Sequence, residues 1–121
     1  SFRLSLYIEL KTPEKAIPML EQSEKDFPND YNPPARLALA YKAMNRFDDA
    51  LAASDRAMAR VYGPRKITVY RTRYDIYMAK GDKEMAKKTL EETVRYAKSL
   101  PKEQVSKAMI DSLEKKLKDF S

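Results

Sequence analysis

Three observations predict an all-α fold, a short α-solenoid of helix-turn-helix repeats closed by a C-terminal capping helix. Glycine occurs only at Gly63 and Gly81, while Ala, Leu, Lys, Glu, Arg and Met are abundant. Straight-chain residues lose little rotamer freedom in a helix, so few positions invite a break. Helix start and stop signals recur at regular intervals, and two residue types repeat in step three times. At 121 residues and 43% hydrophobic, the chain is one domain long and too apolar for a disordered tail. It can bury roughly two-thirds of its unfolded surface.

The elements follow in order. A helix over 1–10 opens the chain, already under way at Ser1, which reads as a piece of something longer. Thr12-Pro13-Glu14 places a hydroxyl at an N-cap, Pro at the first helical position and an acid in the first turn, and opens a helix over 13–27. Asn32-Pro33-Pro34 repeats the logic with Asn as cap for 33–45, and 47–61 follows. Pro64 precedes a helix over 65–80. Gly81-Asp82 is a stop and a new cap, because Gly accepts the left-handed conformation that ends a helix; it starts 82–99. Pro101 precedes 102–120. Short loops of this kind suit antiparallel helix hairpins. The β-branched cluster Ile67-Thr68-Val69 is too short to overturn the helical period.

Tyr7, Tyr41 and Tyr77 are 34 and 36 residues apart, and Ala16, Ala50 and Ala86 keep the same spacing, each nine residues after its tyrosine. Such a period marks a helix-turn-helix unit that cannot bury its apolar face alone, so copies stack. The alanine stays small where the second helix crosses the first, and the tyrosine fills the wedge towards the next pair. Repeats of about 1–30, 31–64 and 65–98 result, with a cap over 102–120, all in one domain spanning 1–121. In the last segment Val105, Ala108, Met109, Leu113, Leu117 and Phe120 form one apolar stripe against a face of mixed charge. That pattern fits a helix sealing the end of a stack better than a binder of anionic lipid.

These residues resemble the tetratricopeptide repeat family. Leu37, Ala38, Tyr41, Ala50, Ser54 and Ala57 occupy its pattern in the middle unit; Tyr70, Tyr74, Tyr77, Gly81, Ala86 and Leu90 do so in the third. Leu4, Tyr7, Ala16, Leu20 and Pro28 do so in the first. The pattern covers roughly residues 1–98 and departs in detail: Trp is absent, Leu4 and Tyr74 replace a small residue, and Arg3 and Arg73 replace Leu. The resemblance implies a non-catalytic protein-protein interaction scaffold binding a peptide or helix in a concave groove. Carried over by position, the groove holds Arg36, Leu39 and Lys42 in the middle unit and Arg71, Asp75 and Met78 in the third. Arg suits a carboxylate because its planar fork donates two parallel hydrogen bonds. The family's clamp for a chaperone's terminal carboxylate is not implied, since its places hold Ser1, Ser5, Arg36, Thr68 and Thr72.

Charge is uneven. The net +6 comes from 24 basic and 18 acidic residues, and Arg56–Tyr74 contains Arg56, Arg60, Arg65, Lys66, Arg71 and Arg73 with no acid. Either acids from neighbouring helices (Asp55, Asp75 or Glu92) neutralise this stretch, or it forms a basic patch for an acidic partner, with nucleic acid ranking below. No apolar run approaches the ~20 residues of a membrane span.

The chain has no Cys and no His. The usual base, nucleophile and soft metal ligands of catalysis are therefore missing, and neither an enzyme nor a cofactor or metal is expected. Asp48-Asp49 and Glu91-Glu92 lie in helices, where adjacent side chains diverge by about 100° and cannot clamp a metal. Ser99-Leu100-Pro101-Lys102 and Ser112-Leu113-Glu114-Lys115 match a Ser-x-x-Lys motif without its Lys-Thr-Gly companion. The absence of Cys suits cytoplasm and periplasm alike.

A second resemblance lies in Asn32-Pro33-Pro34-Ala35-Arg36-Leu37-Ala38 and Ala59-Arg60-Val61-Tyr62-Gly63-Pro64-Arg65. Both are similar to runs in the repeat-bearing tails of bacterial thioredoxin-like proteins. It implies an alternative role, positioning substrate for a redox domain. An incomplete first unit would also bare Phe2 and Leu6, so self-association is expected to raise the mass seen by light scattering with concentration; a constant monomer mass would remove that expectation.

Overall fold

The computed structural model describes residues 13–120; the expectations for the 1–10 helix, Thr12, Tyr7, Phe2 and Leu6 lie outside them. The chain divides into two compact units, Ser1–Val61 and Tyr62–Ser121. The boundary falls beside the Gly63-Pro64 loop.

In the first unit a single 3-10 turn, Pro13–Lys15, leads into α1 (Ile17–Asp26), followed by α2 (Asn32–Ala43) and α3 (Phe47–Arg60). The expected helix over 13–27 is thus shorter at its start. Pro18 has no N–H to give to the carbonyl of Glu14, so the first turn closes as 3-10, with Ala16 N donating to Pro13 C=O at 3.0 Å. Asn32 is not the cap of α2 but its first helical residue. Asp30 takes the capping role, its Oδ1 accepting from both Asn32 N and Asn32 Nδ2 at 2.9 Å. Helix α2 packs on α1 and, more extensively, on α3. Between them lie Ala16, Leu20, Leu37, Ala38, Ala40, Ala53 and Ala57, all at most 5% exposed.

The second unit holds α4 (Arg65–Lys80), α5 (Lys83–Ser99) and α6 (Lys107–Lys118), with α5 packed on both others. Its buried side chains include Ile67, Tyr74, Ile76, Tyr77, Leu90, Val94 and Leu113. Two buried threonines stay satisfied by donating back one turn, Thr89 Oγ1 to Met85 C=O and Thr93 Oγ1 to Thr89 C=O, each at 2.8 Å. The last helix begins five residues later than the expected 102. Residues 102–104 form a turn, and the Ser106 hydroxyl caps the helix by accepting from Met109 N at 3.1 Å. Val105 is buried from the turn, whereas Ala108 is exposed, so the apolar stripe belongs to Leu113 and its half-buried neighbours Met109 and Leu117.

The turns inside α2–α3 and α4–α5 are the same turn. Asn45 (φ 60°) and Gly81 (φ 86°) are left-handed. Asn45 N donates to Lys42 C=O at 2.9 Å and Gly81 N to Met78 C=O at 3.1 Å. The next residue, Arg46 or Asp82, donates its N–H to the carbonyl of Tyr41 or Tyr77 at 2.9 Å, and its own carbonyl accepts from Ala50 or Ala86 at 2.9 and 3.0 Å. This is the Schellman closure. All three marker alanines, Ala16, Ala50 and Ala86, are 0% exposed, and Ala50 and Ala86 lie on α3 and α5, the second helices of their pairs. Tyr77 is buried and Tyr41 half-buried beneath the Arg46 guanidinium, 4.8 Å from its ring centre. Among the described residues there are six α-helices and no strand, in agreement with the all-α helical-repeat expectation.

The two turns differ in one respect that can be measured. A left-handed non-glycine residue costs about 1–2 kcal/mol, and a Cβ at Gly81 meets nothing within 4 Å. Gly81→Ala is therefore expected to lose about that much in urea unfolding from backbone strain alone, while Asn45→Gly leaves stability unchanged or raises it.

Candidate functional site

The expected binding residues sit on the first helix of each pair. On α2, Arg36 and Lys42 are half-buried and Leu39 is 42% exposed; on α4, Arg71 and Asp75 are exposed and Met78 is 40% exposed. Leu39 and Met78 are two of the few large apolar side chains left in solvent among the described residues. Arg36 and Arg71 make no hydrogen bond or ion pair among the described residues.

Each unit has a cleft beside this helix. In the first unit Arg36 lines a cleft of about 220 Å³ with Met19 and Phe27 of the α1 side and Asp30 of the connecting loop. Leu39 and Lys42 stand outside it. In the second unit Arg71 and Asp75 share a cleft of about 280 Å³ with Tyr74, Leu90, Thr93, Leu113 and Lys116, and Met78 stands outside. The residues from α1, α5 and α6 were not legible from the repeat pattern, because each belongs to a neighbouring helix. Phe27, an exposed aromatic just past the end of α1, carried the faintest signal.

Of the basic stretch, Arg56 and Arg60 lie in the first unit and Arg65, Lys66, Arg71 and Arg73 in the second. Arg56 donates through Nε to Glu24 Oε2 at 2.8 Å and through Nη2 to Oε1 at 3.2 Å, a two-point grip. Arg60 Nη2 joins the same carboxylate at 3.1 Å, and its Nη1 donates to Asp30 C=O at 3.4 Å. The acid gripped by both is Glu24 of α1, a neighbouring-helix acid that the sequence reading did not single out. These two arginines tie α3 to α1. In the second unit Lys66 lies 5.2 Å from the centre of the Tyr96 ring, Arg73 lies 5.9 Å from that of Tyr77, and Arg65 is exposed.

A cleft of about 570 Å³ involves none of the expected groove residues. Lys88, Glu91, Glu92, Arg95, Tyr96 and Ser99 of α5 line it together with Tyr70 of α4. The Tyr70 and Tyr96 rings meet at 5.6 Å, and the Tyr96 hydroxyl donates to Gly63 C=O at 3.0 Å. Burial pushes the Tyr70 phenol above its ordinary value, with Glu92 adding to the effect. Balanced charges leave this face without a strong preference for an anion or a cation.

No group of three or more acidic side chains suited to holding a metal occurs among the described residues, and no helix among them is long and apolar enough to cross a membrane. Comparison with protein-family models matches residues 75–99, the end of α4 and all of α5, to the tetratricopeptide repeat. No curated protein and no solved structure matches the chain.

The Glu24 cluster yields a pH prediction. The hydrogen bond from Arg56 holds the Glu24 carboxyl below its ordinary 4.5, against opposing desolvation and with charge support from Arg56 and Arg60. A depressed folded pKa adds stability that is present above the unfolded value and lost as pH falls through the folded one. The wild type should therefore lose stability below about pH 4.5 more steeply than Glu24→Gln. At neutral pH that variant should be about 1 kcal/mol less stable by urea unfolding, a figure discounted because Arg56 is well exposed.

Proposed function

From the tetratricopeptide repeat that this chain carries at residues 75–99, we propose a non-catalytic scaffold that binds a peptide or helix of a partner protein. The binding face is that of the first helix of each pair, as the repeat type implies: Arg36, Leu39 and Lys42 on α2, and Arg71, Asp75 and Met78 on α4. One observation carries this choice over the basic patch. Arg56 and Arg60 spend their guanidinium groups on Glu24, whereas Arg36 and Arg71 have no acidic partner among the described residues.

An unpaired arginine beside an exposed Leu or Met offers a partner both a forked donor and an apolar anchor. The partner that satisfies it is acidic with interspersed apolar residues. Leu39 and Met78 give contact area, and Met adapts to irregular side chains. Catalysis plays no part in this reading: the sequence holds no His or Cys.

Charge reversal tests it. The double variant Arg36→Glu, Arg71→Glu is expected to capture the native partner at least about tenfold less well in a pulldown, because like charges across an interface repel. Circular dichroism should stay unchanged, since both side chains project from helix surfaces. Undiminished capture by the folded variant would remove this face from the binding site.

A further inference from the structure

Lys116 lies on α6, outside every repeat, yet it lines the same cleft as Arg71 and Asp75. Its ammonium is held 4.4 Å from the centre of the Tyr74 ring, and that ring meets Phe120 edge-on at 6.2 Å. The face of an aromatic ring attracts a cation, so Tyr74 fixes where Lys116 stands without neutralising it. Lys116 and Arg71 have no ion pair among the described residues, and Asp75 pairs with neither. Two cations without counter-ions and one carboxylate thus converge on one cleft.

We infer that this cleft binds the carboxylate of an Asp or Glu side chain of an extended partner peptide between Arg71 and Lys116. Helix α6 is then part of the binding site as well as a cap. The inference rests on the scaffold reading above and adds to it the chemistry of one partner side chain. The charges select the ligand. One carboxylate brings the cleft to balance: two cations against Asp75 and the incoming acid. A phosphate dianion overshoots that balance beside Asp75. A nucleic-acid strand gains little from the aromatic group, because Tyr74 is 7% exposed and its face is taken by Lys116. A peptide suits Asp75 for a further reason: its backbone N–H groups supply donors to that carboxylate next to the acidic side chain. Arg71 supplies a fork for two parallel bonds, and Lys116 supplies a point charge.

The test is an NMR titration of the ¹⁵N-labelled chain with a blocked peptide, acetyl-Ala-Leu-Glu-Ala-Leu-Ala-amide, and its Glu→Gln counterpart. The Glu peptide is expected to shift the amides of Arg71, Tyr74 and Lys116. Its affinity should fall about tenfold on changing its Glu to Gln or on Lys116→Gln, and recover with Lys116→Arg. Lys116 is exposed, so its variants keep the fold. Equal binding of the Glu and Gln peptides overturns the inference. Shifts confined to Arg36, Leu39 and Met78, with Lys116→Gln inert, remove the α6 subsite and leave the scaffold standing. No shift on α2 or α4 removes both. A Gln peptide with a free C-terminus that binds as well as the blocked Glu peptide overturns the side-chain assignment in favour of a chain end.

Discussion

The closure between the two helices of a pair is the constraint from which the rest follows. A tyrosine carbonyl accepts the N–H five residues on, and that is achieved only if the residue between turns left-handed. The same carbonyl-to-amide chain then starts the second helix, whose first intrahelical bond ends on the alanine. The tyrosine, the left-handed residue and the alanine are therefore locked at fixed offsets. A one-residue slip would put a side chain with a γ carbon at the close crossing, where Ala50 and Ala86 have no exposed surface; overpacking of that kind costs about 1–3 kcal/mol.

That lock orients the exposed faces. With α2 crossed by α3 and α4 by α5, the side chains turned from the crossing on the first helices are Leu39 on one and Asp75 and Met78 on the other. Arginine does two different jobs around them. Arg56 and Arg60 converge on one carboxylate and tie α3 to α1, Arg56 through a two-point bond and Arg60 through a single contact. Arg36 and Arg71, with the same chemistry, make no ion pair among the described residues.

Much of this was legible residue by residue. The Gly81-Asp82 boundary, the start at Arg65 after Pro64 and the burial of the marker alanines all follow from local rules. Local rules failed where two local preferences competed. Thr12-Pro13 gives a good helix start, but Pro18 removes the bond that would carry it on. Asn32 is a good cap, but Asp30 takes both its backbone N–H and its side-chain amide, and Asn32 becomes the first helical residue. Pro101 permits a helix, yet Ser106 provides the hydroxyl that starts one. Asn45 ends a helix as Gly81 does, and only its left-handed φ separates it from an ordinary helical Asn.

By itself the sequence determined the helical class, the approximate spans of the described helices and the matching offsets of the α2–α3 and α4–α5 turns, because these depend on propensity, caps and offsets within about ten residues. The tertiary structure alone decided which acid neutralises Arg56 and Arg60, and which cation shares a cleft with Arg71. Glu24 meets Arg56 across 32 positions of chain, and Lys116 meets Tyr74 across 42. No period or spacing encodes such meetings, since they arise only when separate helices pack.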